Sequence, residues 1–216
     1  VGIRVLNKDF TEKDCFDLPP KSRPHGIAFC PERKLIFINL SGKDAIGIYD
    51  AETYNQVDEI ALSDKFEKTQ IPHHHVNDLC VFEGSLFVSM FSFSGNWKSG
   101  VFDGGILEFD IDTRQMKMPM VNDLWMPHTP TIINDVLFYC DSMPGKVYSG
   151  TSKILAEFNG FVRGITYDGT YYYVGQSSHR YIDRLKGLSN NIALDSGIYI
   201  VDGEDKVTRF FSLPHL

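Results

Sequence analysis

A short apolar run headed by a polar residue, most often a histidine after a proline, recurs along this chain at a period of several tens of residues. It appears as Arg23-Pro24-His25-Gly26-Ile27-Ala28-Phe29, as Pro72-His73-His74-His75-Val76-Asn77-Asp78-Leu79, as Met126-Pro127-His128-Thr129-Pro130-Thr131-Ile132-Ile133 and as Phe161-Val162-Arg163-Gly164-Ile165-Thr166-Tyr167. It begins again in Leu213-Pro214-His215-Leu216. The steps are 50 residues from His25 to His75, 53 to His128, 35 to Arg163 and 52 to His215. Self-similarity at this period points to a propeller, a solenoid or an array, because one such unit cannot bury its apolar face alone.

Each period reads as four short strands separated by polar turns. In the first, His25–Cys30, Leu35–Leu40, Ala45–Asp50 and Gln56–Leu62 are split by Pro31-Glu32-Arg33-Lys34 and Ser41-Gly42-Lys43-Asp44. Third strands close on an aromatic or aliphatic residue and then aspartate, in Tyr49-Asp50, Phe109-Asp110 and Val201-Asp202. Apart from Tyr181–Leu188, no segment carries helical periodicity, and aromatic and β-branched residues abound. The fold expected is all-β, a single β-propeller domain over residues 1–216 with four-stranded blades at about 25–63, 75–121, 128–159 and 163–213. Residues 1–18 supply two strands, Gly2–Asn7 and Cys15–Leu18, to a closing blade. That makes five blades, or six in a longer parent chain. The closing blade lacks its two inner strands, so either the chain is clipped after Leu216, or it continues upstream of Val1, or another chain completes the sheet and makes an oligomer.

A net charge of −7 without any run of Lys or Arg argues against nucleic acid and anionic membrane as partners. No apolar stretch approaches the roughly 18 residues needed to span a bilayer. The four cysteines show no metal-type pairing. Buried free thiols in strands suggest a reducing, cytoplasmic compartment.

In a propeller the innermost strands line a central channel, and their heads share one rim with the loops between second and third strands. Two long insertions, Ser92–Asp103 and Gln176–Ser196, fall in such loops, so they are expected over the rim where His25, His75, His128 and Arg163 open. Three imidazoles from three blades suit a divalent metal such as zinc, iron, manganese or calcium, with His25, His75 and His128 as ligands. Without metal, His75 and His128 would be the acid–base groups, with Arg163 and Arg180 anchoring an anion. Asn77, two residues from His75, would orient the substrate, with Trp97 and His179 as further contacts. A histidine at a blade junction can equally be a structural hydrogen-bonder.

The ordered motifs His75-Val76-Asn77-Asp78-Leu79, Trp97-Lys98 before Gly104-Gly105, Met126-Pro127-His128-Thr129-Pro130, Asp141-Ser142 with Gly145, Phe161-Val162-Arg163-Gly164 and Gly175-Gln176-Ser177-Ser178-His179-Arg180 resemble an uncharacterised bacterial family, a domain of unknown function with a propeller fold. The likeness runs from about Pro72 to Leu216. Family members carry His-x-Asn-Gly and Pro-His-Ser-Pro, so Asp78 and Thr129 depart from the pattern. The resemblance implies a shared site of His75, Asn77, His128, Arg163 and Arg180, and it supplies no reaction. A looser likeness, through Pro24-His25-Gly26-Ile27-Ala28 and Asn77-Asp78, is to lactonase-type and streptogramin-lyase-type propellers, which hold a cation or a catalytic histidine in the channel. The function expected is an enzyme, a metal-dependent hydrolase or lyase, acting on a small polar or anionic, sugar-like molecule. The alternative is a non-catalytic module binding a glycan or a protein, with structural histidines.

Overall fold

Alternation of apolar and polar residues over five to seven positions, broken by Gly, Asn and Asp, folds the chain into antiparallel meanders. The computed structural model describes residues 2–179, 182–184 and 191–214. A two-stranded sheet comes first, β1 (Gly2–Leu6) with β2 (Glu12–Asp17). Four four-stranded sheets follow in chain order. Blade one is β3 (Pro24–Cys30), β4 (Leu35–Leu40), β5 (Ala45–Asp50) and β6 (Gln56–Ala61). After a short helix, α1 (Lys65–Thr69), comes blade two: β7 (Val76–Phe82), β8 (Ser85–Met90), β9 (Gly104–Asp110) and β10 (Met116–Leu124). Blade three is β11 (Pro127–Ile133), β12 (Val136–Asp141), β13 (Lys146–Ser149) and β14 (Lys153–Glu157). Blade four is β15 (Phe161–Tyr167), β16 (Tyr171–Ser177), β17 (Gly197–Asp202) and β18 (Thr208–Ser212).

The innermost strands stand side by side, β3 against β7, β7 against β11 and β11 against β15. This is a β-propeller. Between blades one and two, Phe37, Ile46 and Ile48 pack on Val76, Leu79, Val88 and Met90. The opposite face of blade one, through Ile38, Leu40 and Tyr49, packs on Ile3, Phe16 and Leu18. The pair β1–β2 therefore occupies the flank where a fifth blade stands, and β1 is bonded to β2 alone. No helix among the described residues is long and apolar enough to cross a membrane. The expected helical turn near Tyr181 is a single 3-10 turn at Ile182–Arg184, its flanks lying outside the described residues.

The aspartates that close third strands have a shared task. Asp50 Oδ1 accepts from the backbone N–H groups of Glu52 and Thr53, Asp110 Oδ1 from Asp112 and Thr113, and Asp202 Oδ1 from Glu204 and Asp205. Each carboxylate folds the turn into the outer strand, and these bonds hold Asp50 and Asp110 below their usual pKa. All four cysteines are free thiols, and burial pushes Cys80 and Cys140 up to about 12, which keeps them protonated and inert.

Candidate functional site

Every inner strand carries a bulge at the same level. Pro24 pairs with Leu40 but Ile27 with Ile38; Val76 pairs with Met90 but Leu79 with Val88. His128 pairs with Cys140 but Thr131 with Phe138, and Val162 with Gln176 but Ile165 with Val174. One extra residue is thus accommodated in each blade, which re-aims the side chains at that level. The first bulged residues are His25, Asn77, Thr129 and Arg163. His75 stands two residues before its bulge and His128 one before, so the three histidines are not equivalent positions of a repeat.

His25 and Arg163 still reach the same cavity as His75 and His128. It measures about 340 Å³ and is lined also by Arg23, Ser41, Pro72, Phe91, Trp97, Lys98, Phe161 and Ser177. As the topology requires, its roof comes from the loop 91–103 between β8 and β9. That loop is pinned by Asp103, whose carboxylate accepts from the Ser92 hydroxyl and, at 3.0 Å, from the Ser94 N–H. Trp97 begins a 3-10 turn there, and the Lys98 ammonium donates to the Pro72 carbonyl at 3.2 Å.

The rings form a continuous arc. Centroids lie 5.3 Å apart for His25 and His75, 4.2 Å for His75 and Phe91, 5.4 Å for Phe91 and His128, and 5.4 Å for His128 and Phe161. Trp97 stands 5.1 Å from His75 and 5.8 Å from Phe91. The Arg163 guanidinium lies 5.8 Å from the Phe161 centroid, and the Lys98 ammonium 5.7 Å from that of Trp97.

The metal expectation gains no support from this arc. Phe91 packs against both His75 and His128. Among the described residues no group of three or more His, Cys, Asp or Glu could hold a metal ion. Metal binding by His25, His75 and His128 is therefore not supported.

His128 is buried, and its Nδ1 lies 2.9 Å from the Met126 carbonyl and 2.7 Å from the Ser142 hydroxyl. A carbonyl only accepts, so Nδ1 carries the proton and Nε2 the lone pair. Burial holds His128 well below its ordinary pKa, and the Arg163 charge adds to this. Burial, then the charges of His25, Lys98, Arg163 and Arg23, depress His75 to about 3. His25 is lowered by burial and by Arg163, against an opposing pull from Asp78. All three are neutral imidazoles at pH 7, rather than groups poised to exchange protons near neutrality.

His75 enters β7 with φ 51°, a left-handed backbone that histidine adopts only when it is held there. Asp44, buried in the β4–β5 turn, does the holding. Its carboxylate accepts from three successive backbone N–H groups, those of His73, His74 and His75, the last two at 3.1 Å. His74 locks the same connector, its Nδ1 3.0 Å from the Ser92 carbonyl and its Nε2 2.7 Å from the Ser63 hydroxyl.

Other expected site residues have different surroundings. Asn77 is buried, and its amide donates to the Pro127 carbonyl at 3.4 Å, across the junction of blades two and three. His179 is buried against Phe161, 5.3 Å between centroids, with Nε2 3.4 Å from the Met143 carbonyl, and it does not line the cavity. Arg180 and His215 lie outside the described residues. Sequence reasoning did not single out Arg23 or Lys98 as site residues, although Arg23 heads the first repeat directly before Pro24, where His75 stands relative to Val76.

Residues 63–211 match the family catalogued as a domain of unknown function, DUF4915. The chain belongs to this family. Blades two and three of the DUF4915 chain, and blade four except the last residue of its outer strand, lie within that match, with His75, Lys98, His128 and Arg163. No curated protein matches the sequence. Among solved structures, a protein of unknown function from Bacteroides caccae is similar with a TM-score of 0.64 and 10% identity, over 97% of this chain and 68% of that one. A luciferin-regenerating enzyme is similar with a TM-score of 0.53 and 10% identity, over 89% of this chain and 77% of that one. At that identity both likenesses concern the fold alone.

Proposed function

We propose that the chain is an enzyme acting on a small anionic molecule held in this cavity. One observation carries the reading. Among the described residues the lining holds three cationic side chains, Arg23, Lys98 and Arg163, three imidazoles and no carboxylate, in a chain whose net charge is −7. Low-dielectric walls strengthen the pull of those cations on an incoming carboxylate or phosphate. The anion would offset the part of the depression at His25 and His75 that comes from neighbouring cations, the part due to burial remaining, and so raise the basicity of both imidazoles beside the bound molecule. In that state they would take a proton from it as general bases.

The low basicity of the three imidazoles favours a second reading, in which the same cavity binds an anion without turning it over. Calorimetry with inorganic phosphate tests the reading common to both. Wild type should bind it, and Arg163→Gln should weaken binding about tenfold, the worth of one charge-assisted contact. Phosphate bound equally by both proteins, or by neither, would remove the anion site.

A further inference from the structure

We infer that the anion is carried on a planar aromatic body, as an aryl carboxylate or aryl phosphate, and not on a sugar or other polyol. This rests on the anion-site reading above and narrows it. A polyol is held most firmly by carboxylate and amide acceptors for its hydroxyl protons. Among the described residues no Asp, Glu, Asn or Gln lines the cavity, whose side-chain acceptors are imidazole lone pairs and the Ser41 and Ser177 hydroxyls. Asn77, the nearest candidate in sequence, directs its amide to the Pro127 carbonyl instead.

The cavity offers rings. Phe91, Trp97 and Phe161 share the wall with the imidazoles of His25, His75 and His128, and the arc runs unbroken through blades one to three and into blade four. Trp97 is only partly buried, whereas Phe91 and Phe161 are closely packed. The indole is therefore the ring with area left for a ligand, while the phenyl rings back it. Uncharged imidazoles complete a wall that is flat and apolar with a few N–H and lone-pair positions.

The cations stand with the rings rather than apart from them. Lys98 neighbours Trp97, and Arg163 lies over Phe161. An oxyanion taken by Arg163 and Lys98 therefore has ring surface within one side chain's reach, and an aryl group attached to it can stack in offset or edge-to-face fashion. A cavity of about 340 Å³ suits one ring with its acidic group and short substituents.

Matched pairs of probes test this by calorimetry, at one pH and one ionic strength. Benzoate is compared with cyclohexanecarboxylate, and phenyl phosphate with glycerol 1-phosphate. Each pair shares its anionic group and differs in the body. Wild type should favour the aryl member of each pair by about tenfold, the contribution of one good aromatic contact. Trp97→Leu should reduce that ratio to about two or less. Binding of both members of each pair with equal affinity would overturn the aromatic assignment and leave the anion site standing. Failure of all four probes and of inorganic phosphate would bring down the anion site itself. The comparison on wild type decides the matter even if the tryptophan variant does not fold.

Discussion

Replacing His75 by asparagine should make folding less sensitive to acid, by an amount that the burial of this ring sets. His75 has a folded-state pKa of about 3, against 6.5 for an exposed imidazole. A depressed histidine pKa means that the unfolded chain takes up a proton which the folded chain refuses. The contribution to stability is therefore constant above pH 7.5 or so, falls as pH drops below 6.5, and levels off near pH 3. Between pH 8 and pH 5 the linkage relation gives a loss of about 2 kcal/mol from this one group. The wild-type curve alone does not isolate it. His25 and His128 act in the same direction, whereas Asp141, raised by burial to about 7, takes up its proton in the folded state first and gains stability as pH falls. The difference between wild type and His75→Asn cancels those shared contributions. Asparagine tolerates the left-handed backbone at φ 51°, and its N–H can still donate to Asp44. Urea unfolding of both proteins at pH 8 and pH 5 makes the comparison. The variant should lose about 2 kcal/mol less than wild type over that interval. Losses equal within about 0.5 kcal/mol would refute the claim that the half-buried His75 ring is held neutral.

Asp44→Ala removes the acceptor of three backbone N–H groups and should cost about 3 kcal/mol in urea unfolding, with inorganic phosphate binding weakened as His75 loses its seat. A methyl group on Gly26 would come within 2.6 Å of the Asp78 carboxylate and 2.8 Å of its Cα, so Gly26→Ala should force blades one and two apart and cost about 2 kcal/mol. Asn39 is fully buried on β4, and neither atom of its amide has a protein partner among the described residues. Asn39→Leu, close in volume, should raise the thermal midpoint by several degrees, about 1 to 2 kcal/mol. A lowered midpoint would mean that the amide binds something there, buried water being the first candidate.

The blades were legible because their signals are local. Turn dipeptides mark the hairpins, and an aspartate after each of three third strands folds the next turn with its own carboxylate, so its spacing exposes the repeat. The side on which the loop 91–103 stands followed from topology alone. The alignment of the histidines did not. Pro24-His25 and Pro127-His128 look alike in sequence, yet the bulges put His25 level with Asn77, Thr129 and Arg163, leaving His128 one residue short. A bulge of one residue has no sequence signature when its occupants are as varied as His25-Gly26, Asn77-Asp78, Thr129-Pro130 and Arg163-Gly164. Asp44 was also hidden, since Ser41-Gly42-Lys43-Asp44 reads as an ordinary turn and its real partners are about 30 residues away. Phe91 illustrates the third difficulty: the aromatics of its loop read equally as a substrate platform or as packing on the blade tops, and only coordinates show Phe91 packed against two imidazoles.

Asp78 accepts from both the N–H and the hydroxyl of Thr129, and that hydroxyl in turn accepts from the N–H of Gly164. Three neighbouring blades are thereby tied at one height by a strut that crosses the axis side of the sheets, and Arg163 is the residue next to its far end. A guanidinium so mounted is levelled from two blades away. Shortening the strut at Thr129 would tilt the cation without touching it, so the seat for a ligand's charge is a property of the ring of blades and not of blade four alone.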